Sequence, residues 1–512
     1  MTRAATGLRA TIGLAFLSFA LPFGLALTAP LRPQGGDTVP AKVGMHVLQC
    51  ERSFDLAGAG WLRDQVLAGK RPYYAVVTAD RSRLVSTWGP GPAVWGALTS
   101  LPLDSGSVVD DATLARRARR SAALAVALAS LFLFLAIAQR APPLIALAGA
   151  ATAALSFGGA GLLGQALWQQ TVACVAFTAS WLALARGTKE STSVLWLAAG
   201  AALSLSAGLL RPADGILAIA GFALCGRALL RRRQPVGVAA AVALGAIVCG
   251  MFVVWNLRQF GTPWPVGQSI THAGSEGLFH SDLGDLGLAF AALFVSPNRG
   301  LLVFAPIVIV AVVAGARSTN RAKFLSAALL VQLVVYAAFY KWWGGVAFGP
   351  RLAAIPTWAS CFVLFGLVAP TAVSRRLAAL AAILTIAVGL IGLYRYDPRK
   401  WDLRVNVDER PAAVWSITDS VVAASLRPLP EGWPGIVDSP QGPFAYCVDR
   451  TFSQRPTGNL SATPPSEESS QFAGTLKLPR ESEIPPKSSP KKTSVASDVA
   501  LAVTVTGSKS NR

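Results

Sequence analysis

The sequence predicts an all-α protein that crosses a membrane about eleven times. Three observations lead to this fold class. Apolar residues make up 53% of the 512 residues, charged residues make up only 14%, and the apolar residues occur in long runs rather than in alternation. A soluble globular protein carries charged residues at nearly twice that density. Lipid is therefore the solvent for which most of this chain is suited.

Individual spans follow from the length of these runs, because a membrane-spanning helix needs about 20 mostly apolar residues. The run at 286–295 is too short to cross alone and is expected to be interfacial, re-entrant or the start of the next span. The first run follows a basic start and is longer than the apolar part of a signal peptide, so it is expected to be a retained anchor. The predicted spans are 11–31, 122–138, 144–163, 171–184, 194–210, 216–229, 236–255, 301–314, 324–340, 353–368 and 377–393.

Arginines and lysines at the ends of these runs predict the orientation. If the N-terminus is cytoplasmic, alternation makes every short inner loop basic, as the positive-inside bias requires. This places the protein in the cytoplasmic membrane with an extracytoplasmic C-terminus. The basic residues of the inner loops are Arg3, Arg9, Arg140, Arg186, Lys189, Arg227, Arg231–Arg233, Arg317, Arg321, Lys323, Arg375 and Arg376.

One basic cluster lies on the predicted outer side, just before the second span. Two interpretations are open for it, an exposed charged helix end and a docking site for lipid phosphate; the cluster is Arg116, Arg117, Arg119 and Arg120. The formal charge of +20 does not indicate nucleic-acid binding, because no basic face with interleaved aromatic residues occurs.

The predicted topology gives three regions. Residues 1–395 form the transmembrane domain, with a first outer loop at 32–120 and a long outer loop at 256–300. Residues 396–450 form an extracytoplasmic segment that keeps aromatic residues, so it is expected to pack on the membrane domain. Residues 451–512 are rich in Ser, Pro and Lys, which predicts a disordered tail.

Several segments, taken in order, resemble a known family. They are "ERSFDLAGAGWLRD", "RLVSTWGPGPAVWGALTSLPL", "GQALWQQT", "LLRPADGIL", "FGTPWPVGQ", "FVSPNRGLLVFAPIVI" and "WWGGVAFGPRL". Together they resemble the bacterial GT-C-like integral membrane glycosyltransferases, which are related to the protein mannosyltransferases. The resemblance covers about residues 1–437 and is most specific in "SPNRGLL" and "WWGG…GPR".

That resemblance implies a polyprenyl-phosphate sugar donor, an envelope glycan, lipid or protein as acceptor, and a first-loop carboxylate acting on the acceptor. The sequence departs from the family pattern in two places. It offers Glu51, Asp55 and Asp64 instead of an acid-x-acid pair, and it has Gln170 where relatives often carry histidine. Asp55 is the first choice for the catalytic base, with Glu51 and Asp64 as alternatives, although a solvated loop acid or helix cap is an equally good interpretation of Asp55.

Arginines at predicted outer boundaries are the candidates for binding the donor phosphate, because a planar guanidinium suits phosphate geometry. Arg351 ends the "WWGG…GPR" segment and is the best of them. Arg299 is the second candidate, and Arg211 is open between phosphate binding and an ion pair with Asp214. Trp342 and Trp343 are open between membrane-belt aromatics and a platform for a sugar. Gly344 and Gly345 permit a sharp turn there.

The remaining polar residues leave further alternatives. His272, Glu276 and His280 have a spacing that allows a divalent cation, but an acceptor-binding loop or a solvated loop explains them as well. Cys50 and Cys447 are the only cysteines in outer regions, so a disulfide between them is an open possibility. The four other cysteines lie inside apolar runs and are expected to be inert.

Two other functional classes are consistent with the sequence. A transporter or flippase of a lipid-linked or polar solute would use helices interrupted near Pro212 and Pro297. It would also be expected to carry ionisable residues within the spans, which are nearly absent. A non-catalytic envelope assembly protein would explain the missing acid-x-acid pair.

Overall fold

The computed structural model of the chain describes most of the residues before 429. The chain divides into two compact units, Met1–Thr475 and Leu476–Arg512, and all described residues lie in the first unit. The predicted disordered tail, 451–512, lies outside them. The described residues are 2–31, 36–56, 62, 75–77, 83–100, 108–109, 111–264, 279–280, 282–368, 372–407, 410–428 and 444–445.

The described part of the chain is almost entirely helical, which confirms the all-α fold class. In chain order the α-helices are α1 (Thr2–Thr28), α2 (Val39–Glu51), α3 (Gly91–Thr99), α4 (Asp111–Ala138), α5 (Pro143–Leu155), α6 (Gln169–Gly187), α7 (Leu195–Leu210), α8 (Gly215–Arg231), α9 (Pro235–Phe260), α10 (Leu283–Val295), α11 (Leu301–Phe304), α12 (Pro306–Ala316), α13 (Asn320–Ala338), α14 (Ala354–Phe362), α15 (Ala372–Arg395), α16 (Asp402–Val405) and α17 (Val421–Leu426).

Short elements connect these helices. Five 3₁₀ turns lie at Gly36–Thr38, Pro212–Asp214, Arg351–Ala353, Pro398–Lys400 and Pro411–Trp415, and a π-helical turn, Val363–Leu367, continues α14. Strands β1 (Ala75–Val77) and β2 (Leu84–Ser86) form an antiparallel hairpin in the first loop. Strand β3 (Val108–Val109) pairs with β4 (Phe444–Ala445), so the backbone after the last span returns to the first loop.

Each of the eleven predicted spans contains a helix, but the helices differ in length. Six are long and apolar enough to cross a membrane: Leu8–Thr28, Asp111–Ala138, Pro212–Arg231, Pro235–Phe260, Asn320–Ala338 and Arg375–Arg395. The other predicted spans correspond to α6 and to shorter apolar helices. The predicted short run at 286–295 corresponds to the 13-residue helix α10.

Glycine and proline explain two of the shorter helices. Helix α5 ends at Leu155 because the chain next packs against another backbone: a Cβ on Gly158 would lie 2.7 Å from the Cα of Ala354. Helices α11 and α12 are separate because Pro306 has no amide hydrogen to continue the hydrogen-bond ladder. The predicted spans at 144–163 and 301–314 are therefore interrupted helices.

The helices pack in a continuous series. Helix α4 packs against α1, α5 and α6; α6 packs against α7; α8 packs against α7 and α13; and α12 packs against α13 and α15. Helix α9 lies at the periphery and packs mainly on α7. Only 11% of its most apolar 18-residue stretch is buried. In the first loop, α2 and α3 pack on each other and on the start of α4.

Three of the predicted inner loops contact one another at one end of the helices, which we call the basic end. The side chain of Arg140 donates to Thr188 Oγ1 at 2.9 Å, Lys189 donates to Gln139 Oε1 at 2.9 Å, and Arg232 donates to the carbonyl of Thr192 at 2.9 Å. The first loop lies at the other end of α4, which we call the loop end. The 28 residues of α4 separate the two ends by about 42 Å.

The four arginines predicted on the outer side, Arg116, Arg117, Arg119 and Arg120, lie at the start of α4, at the loop end. Arg119 donates to the carbonyls of Ala29 at 2.7 Å and Leu27 at 2.9 Å, at the C-terminus of α1, where a cation is electrostatically favoured. Arg117 is buried. Arg116 and Arg120 are exposed. Arg117 and Arg119 therefore pack into the protein, whereas the exposed-helix-end interpretation describes Arg116, which donates to Thr113 Oγ1 at 2.8 Å on the same helix, and Arg120.

Candidate functional site

An ion pair joins the first loop to the "WWGG…GPR" segment. Arg351 Nη1 donates to Asp37 Oδ2 at 2.5 Å, and the two side chains are 16% and 13% exposed. Asp37 lies in the 3₁₀ turn before α2, and Arg351 begins the 3₁₀ turn before α14. Two residues 314 positions apart in sequence thus place a carboxylate and a guanidinium together at the loop end.

The surroundings of Arg351 hold its guanidinium in place. Its Cζ lies 4.7 Å from the centroid of the Trp168 ring, within the range of a cation–π contact. Its Nε is buried and has no hydrogen-bond partner among the described residues. Buried donors are nearly always satisfied, so this unpaired N–H is an unusual feature of the site, although protein atoms enclose it.

The two glycines of the "WWGG" segment provide the turn that brings the backbone next to Arg351. Gly344 and Gly345 have φ values of +80° and +70°, a region that residues with a Cβ rarely adopt. A Cβ on Gly344 would lie 3.1 Å from the Cβ of Arg351. The predicted sharp turn is present, and it packs directly on the arginine.

Asp37 also lines a narrow cleft between the first loop and the helices. Its walls come from α2, from the segment between β2 and α3, and from the starts or ends of two long helices. The lining includes Gly44, Trp88, Pro90, Gln169 and Trp255. The cleft has about 20 Å³ of free space, which is room for about one water molecule, and its walls are mostly apolar.

The acids predicted from sequence lie elsewhere in the first loop. Asp55 Oδ1 accepts a hydrogen bond from the backbone N–H of Leu84 at 3.0 Å and so fixes strand β2. Glu51 is the last residue of α2. Asp64 lies outside the described residues. Phe54 lines the cleft next to Asp37, whereas Asp55 is not among the cleft residues.

Asp37 does not stand out in the sequence, because it is a single acid nine residues after the end of α1 and not part of an acid-x-acid pair. The sequence feature that indicates Asp37 is the run "DTVP", in which a proline of the kind found at helix starts comes three residues after the acid. That pattern places a carboxylate at the beginning of the first outer helix.

Arg299 lies close to the turn that packs on Arg351, since its Nη2 donates to the carbonyl of Gly345 at 3.4 Å, but it has an internal partner. Its guanidinium is fully buried, forms an ion pair with Asp402, and lies 5.1 Å from the centroid of the Trp401 ring. Tyr396 donates to the second oxygen of Asp402 at 2.7 Å. The Asp402 carboxylate therefore already occupies the place beside the Arg299 guanidinium where a donor phosphate would bind.

The "SPNR" turn also binds the segment after the last span. Ser296 Oγ donates to the carbonyl of Val414 at 2.8 Å, and Asn298 Nδ2 donates to the carbonyl of Ser416 at 2.9 Å. Asn298 Oδ1 accepts from the backbone N–H of Val421 at 2.6 Å. The expectation that residues after 395 pack on the membrane domain is met by these contacts for the described part of the segment.

Arg211 forms the ion pair that its spacing to Asp214 allowed. Arg211 Nη1 donates to Asp214 Oδ2 at 2.6 Å, and Tyr336 donates to the other oxygen of Asp214. Gln332 donates to the carbonyl of Ala213 at 2.6 Å. These contacts join α8 to α13 and give Arg211 a structural role.

The other predicted substrate residues are buried. Trp342 and Trp343 are 6% and 8% exposed and pack edge to face, with ring centroids 6.0 Å apart. Burial inside the protein contradicts their interpretation as membrane-belt aromatics. Gln170 is buried at the start of α6, and its neighbour Gln169 faces the cleft instead.

The described residues provide no cluster of three His, Cys, Asp or Glu side chains that could hold a metal ion. His272 and Glu276, which suggested a divalent cation, lie outside the described residues. Asp282 caps the N-terminus of α10, where its side chain accepts from the backbone N–H groups of Gly284 and Asp285. Cys50 is disulfide-bonded; Cys447, its predicted partner, lies outside the described residues.

A scan against protein-family models, a search of curated proteins and a search of solved structures found no match to this chain. The positions of its own residues are therefore the basis for assigning a function.

Polar side chains of α2 form hydrogen bonds with polar side chains at the start of α4. Arg117 donates to Gln49 Oε1 and to His46 Nδ1, the latter at 3.3 Å, and Lys42 donates to Asp111 at 2.5 Å. Burial, followed by the positive charge of Arg117, lowers the pKa of His46 from 6.5 to about 4. The imidazole is therefore neutral in the folded loop and accepts from Arg117.

We expect this histidine to make the loop end sensitive to acid. A histidine with a depressed pKa binds protons more readily in the unfolded chain, so its contribution to stability is present above pH 6.5 and lost between pH 6.5 and 4. The full loss is about 3 kcal/mol. Unfolding midpoints should fall over this window, and His46→Gln, which keeps an acceptor without titrating, should flatten the decline. Equal declines in both proteins would contradict the assignment.

Proposed function

We propose that the chain is a GT-C-like membrane glycosyltransferase. It transfers a sugar from a polyprenyl-phosphate donor to a cell-envelope glycan, lipid or protein on the extracytoplasmic side of the membrane. The observation that carries this proposal is the contact between Asp37 and Arg351 beside the tryptophan-lined cleft. It joins a proton acceptor and a phosphate-binding group in one place.

The chemistry of glycosyl transfer needs both groups. The acceptor hydroxyl oxygen forms a bond to the anomeric carbon of the sugar while the bond from that carbon to the phosphate oxygen breaks. The electron pair of the broken bond stays on the polyprenyl phosphate, where a guanidinium stabilises the added charge. The hydroxyl proton passes to a carboxylate, which we assign to Asp37.

The hydrogen-bonding capacity of Arg351 allows both interactions together. Nη1 binds Asp37, and the buried Nε has no partner among the described residues. A guanidinium offers five N–H donors in a planar fork, so Asp37 leaves further donors of Arg351, and we assign these to the phosphate. The acceptor hydroxyl bound at Asp37 is then close to the phosphate that leaves.

A transfer assay with purified protein and a labelled polyprenyl-phosphate sugar tests this proposal. We expect Arg351→Gln to lower kcat/KM for the donor by about 10²- to 10³-fold, since it removes charge stabilisation of the leaving phosphate. Arg351→Lys keeps the charge but not the fork and should give an intermediate rate. Arg410→Gln, at an exposed arginine after the last span, is the matched control and should behave as wild type.

Two outcomes would contradict the proposed function. An Arg351→Gln variant that transfers sugar at the wild-type rate would remove the phosphate from this site. Solute uptake by proteoliposomes, without sugar transfer by the wild-type protein, would instead support a transporter.

A further inference from the structure

An apolar groove lies on the membrane-facing side of the protein, between α7, α8 and α9. It encloses about 360 Å³ and is lined only by apolar residues and glycines, among them Leu205, Phe222, Gly226, Leu230, Val238 and Gly245. Leu230 and Val238 lie on either side of the turn between α8 and α9, and Phe222 and Gly245 lie farther from it. Eight residues of helix separate Phe222 from Leu230, so the groove extends about 12 Å along α8.

The end of the groove next to this turn carries a cluster of positive charge, which we call the arginine cluster. Arg227 and Arg231 follow Gly226 and Leu230 on α8, and both are exposed. Their charges act on Arg321 at the start of α13, and the charge of Arg321 acts on Arg140. Three segments thus bring four arginines together at the basic end.

None of the four members of the arginine cluster forms an ion pair with a carboxylate within the described part of the chain. Glu190, an exposed acid two residues after the Thr188 that binds Arg140, forms none with them. Burial and then the charge of Arg321 lower the pKa of Arg140. Like charges held together in this way favour binding of an anion.

We propose that the basic end binds one anionic phospholipid, with its phosphate on the arginine cluster and an acyl chain in the groove. Leu230 lines the groove and Arg231 is the next residue of α8, so the apolar surface and the positive charge adjoin at the end of this helix. The boundary between a lipid headgroup and its acyl chain requires such an arrangement. Basic pockets between membrane helices suit anionic headgroups for the same reason. This site is distinct from the proposed donor site at Arg351, which lies at the loop end.

A second copy of the chain is a poorer occupant for this groove. A symmetric dimer would present the same surface from both subunits. The arginine clusters of the two copies would then face each other without intervening anions. A lipid phosphate supplies the charge that a second copy lacks.

Glycine positions allow a test that fills the groove without disturbing the packing. A Cβ on Gly226 would meet no atom within 4 Å, and a Cβ on Gly245 would lie 3.8 Å from Leu205. Gly226→Leu and Gly245→Leu should therefore fold normally and block the acyl chain. Gly250→Leu is the matched control, because Gly250 lies on α9 outside the groove and also has open space around it.

Native mass spectrometry, with phosphatidylglycerol or phosphatidylcholine titrated onto delipidated protein, measures binding. We expect one phosphatidylglycerol on wild type and on Gly250→Leu, much less on the two groove variants, and weak binding of phosphatidylcholine throughout. The triple variant Arg227→Gln, Arg231→Gln, Arg321→Gln should bind phosphatidylglycerol about a hundredfold more weakly. Arg376→Gln, at an exposed arginine of α15, should bind it normally.

Several results would overturn the proposal. If phosphatidylcholine bound as tightly as phosphatidylglycerol, the charge of the headgroup would not contribute to binding. If inorganic phosphate displaced the lipid completely, the groove would not contribute to binding. Unchanged binding in Gly226→Leu and Gly245→Leu would exclude the groove as the chain site. A dimer that dissociates in Gly226→Leu would assign the groove to a second copy.

Discussion

Asp37→Asn is expected to slow sugar transfer by about 10²- to 10⁴-fold, the range for loss of a general base. Asparagine has nearly the size of aspartate and keeps an oxygen that can accept from Arg351, so the contact at 2.5 Å has a neutral replacement. It cannot take up the proton of the acceptor hydroxyl. The measurement is kcat at saturating labelled donor, together with a thermal unfolding midpoint that shows the variant is folded.

Two variants distinguish Asp37 from the acids predicted by sequence. Asp55→Asn keeps an oxygen for the N–H of Leu84 and should transfer at close to the wild-type rate. Asp285→Asn changes an exposed acid at the start of α10 and serves as the matched control. If Asp37→Asn were active and Asp55→Asn inactive, the base would be Asp55, as the sequence first indicated.

The largest loss of stability is expected from Arg299→Met. This change leaves the Asp402 carboxylate buried without its cation, which costs about 3 to 5 kcal/mol when one partner of a buried ion pair is removed. The double variant Arg299→Met, Asp402→Leu removes both charges and should recover much of that loss. Unfolding in mild detergent, followed by tryptophan fluorescence, measures both free energies.

A partly exposed ion pair of the same kind provides the comparison. Asp397 and Arg399 are 2.7 Å apart, with side chains 17% and 25% exposed. Asp397→Asn should cost less than about 1 kcal/mol, since solvent screens such pairs. If Arg299→Met and Asp397→Asn lowered the free energy of unfolding equally, the buried Arg299–Asp402 pair would stabilise the protein no more than a partly exposed pair does.

Much of the fold was predictable because the membrane imposes simple rules. Every apolar run contains a helix, and three of the predicted inner loops contact one another at one end. The lengths of individual helices were not predictable. Whether a run is interrupted depends on close backbone contacts such as Gly158 with Ala354, which join residues far apart in sequence.

The candidate site was predictable only in part. Arg351 and the Gly344–Gly345 turn follow from local pattern, and the structure places them together. Asp37 and the partner of Arg299 do not, because the pairs Asp37–Arg351 and Arg299–Asp402 are 314 and 103 residues apart. No local spacing connects either pair. An arginine beside a proline therefore gives the same sequence signal whether it binds a ligand or an internal carboxylate.

The separation of Arg299 from Asp402 also determines when the protein can finish folding. During synthesis Asp402 is added 103 residues after Arg299, and at about 5 to 20 residues per second this takes about 5 to 20 seconds. Throughout that interval Arg299 lacks the carboxylate that neutralises it in the folded protein. The contacts that Arg299 and its neighbours make with the segment after α15 therefore form only once α15 and Asp402 have been synthesised.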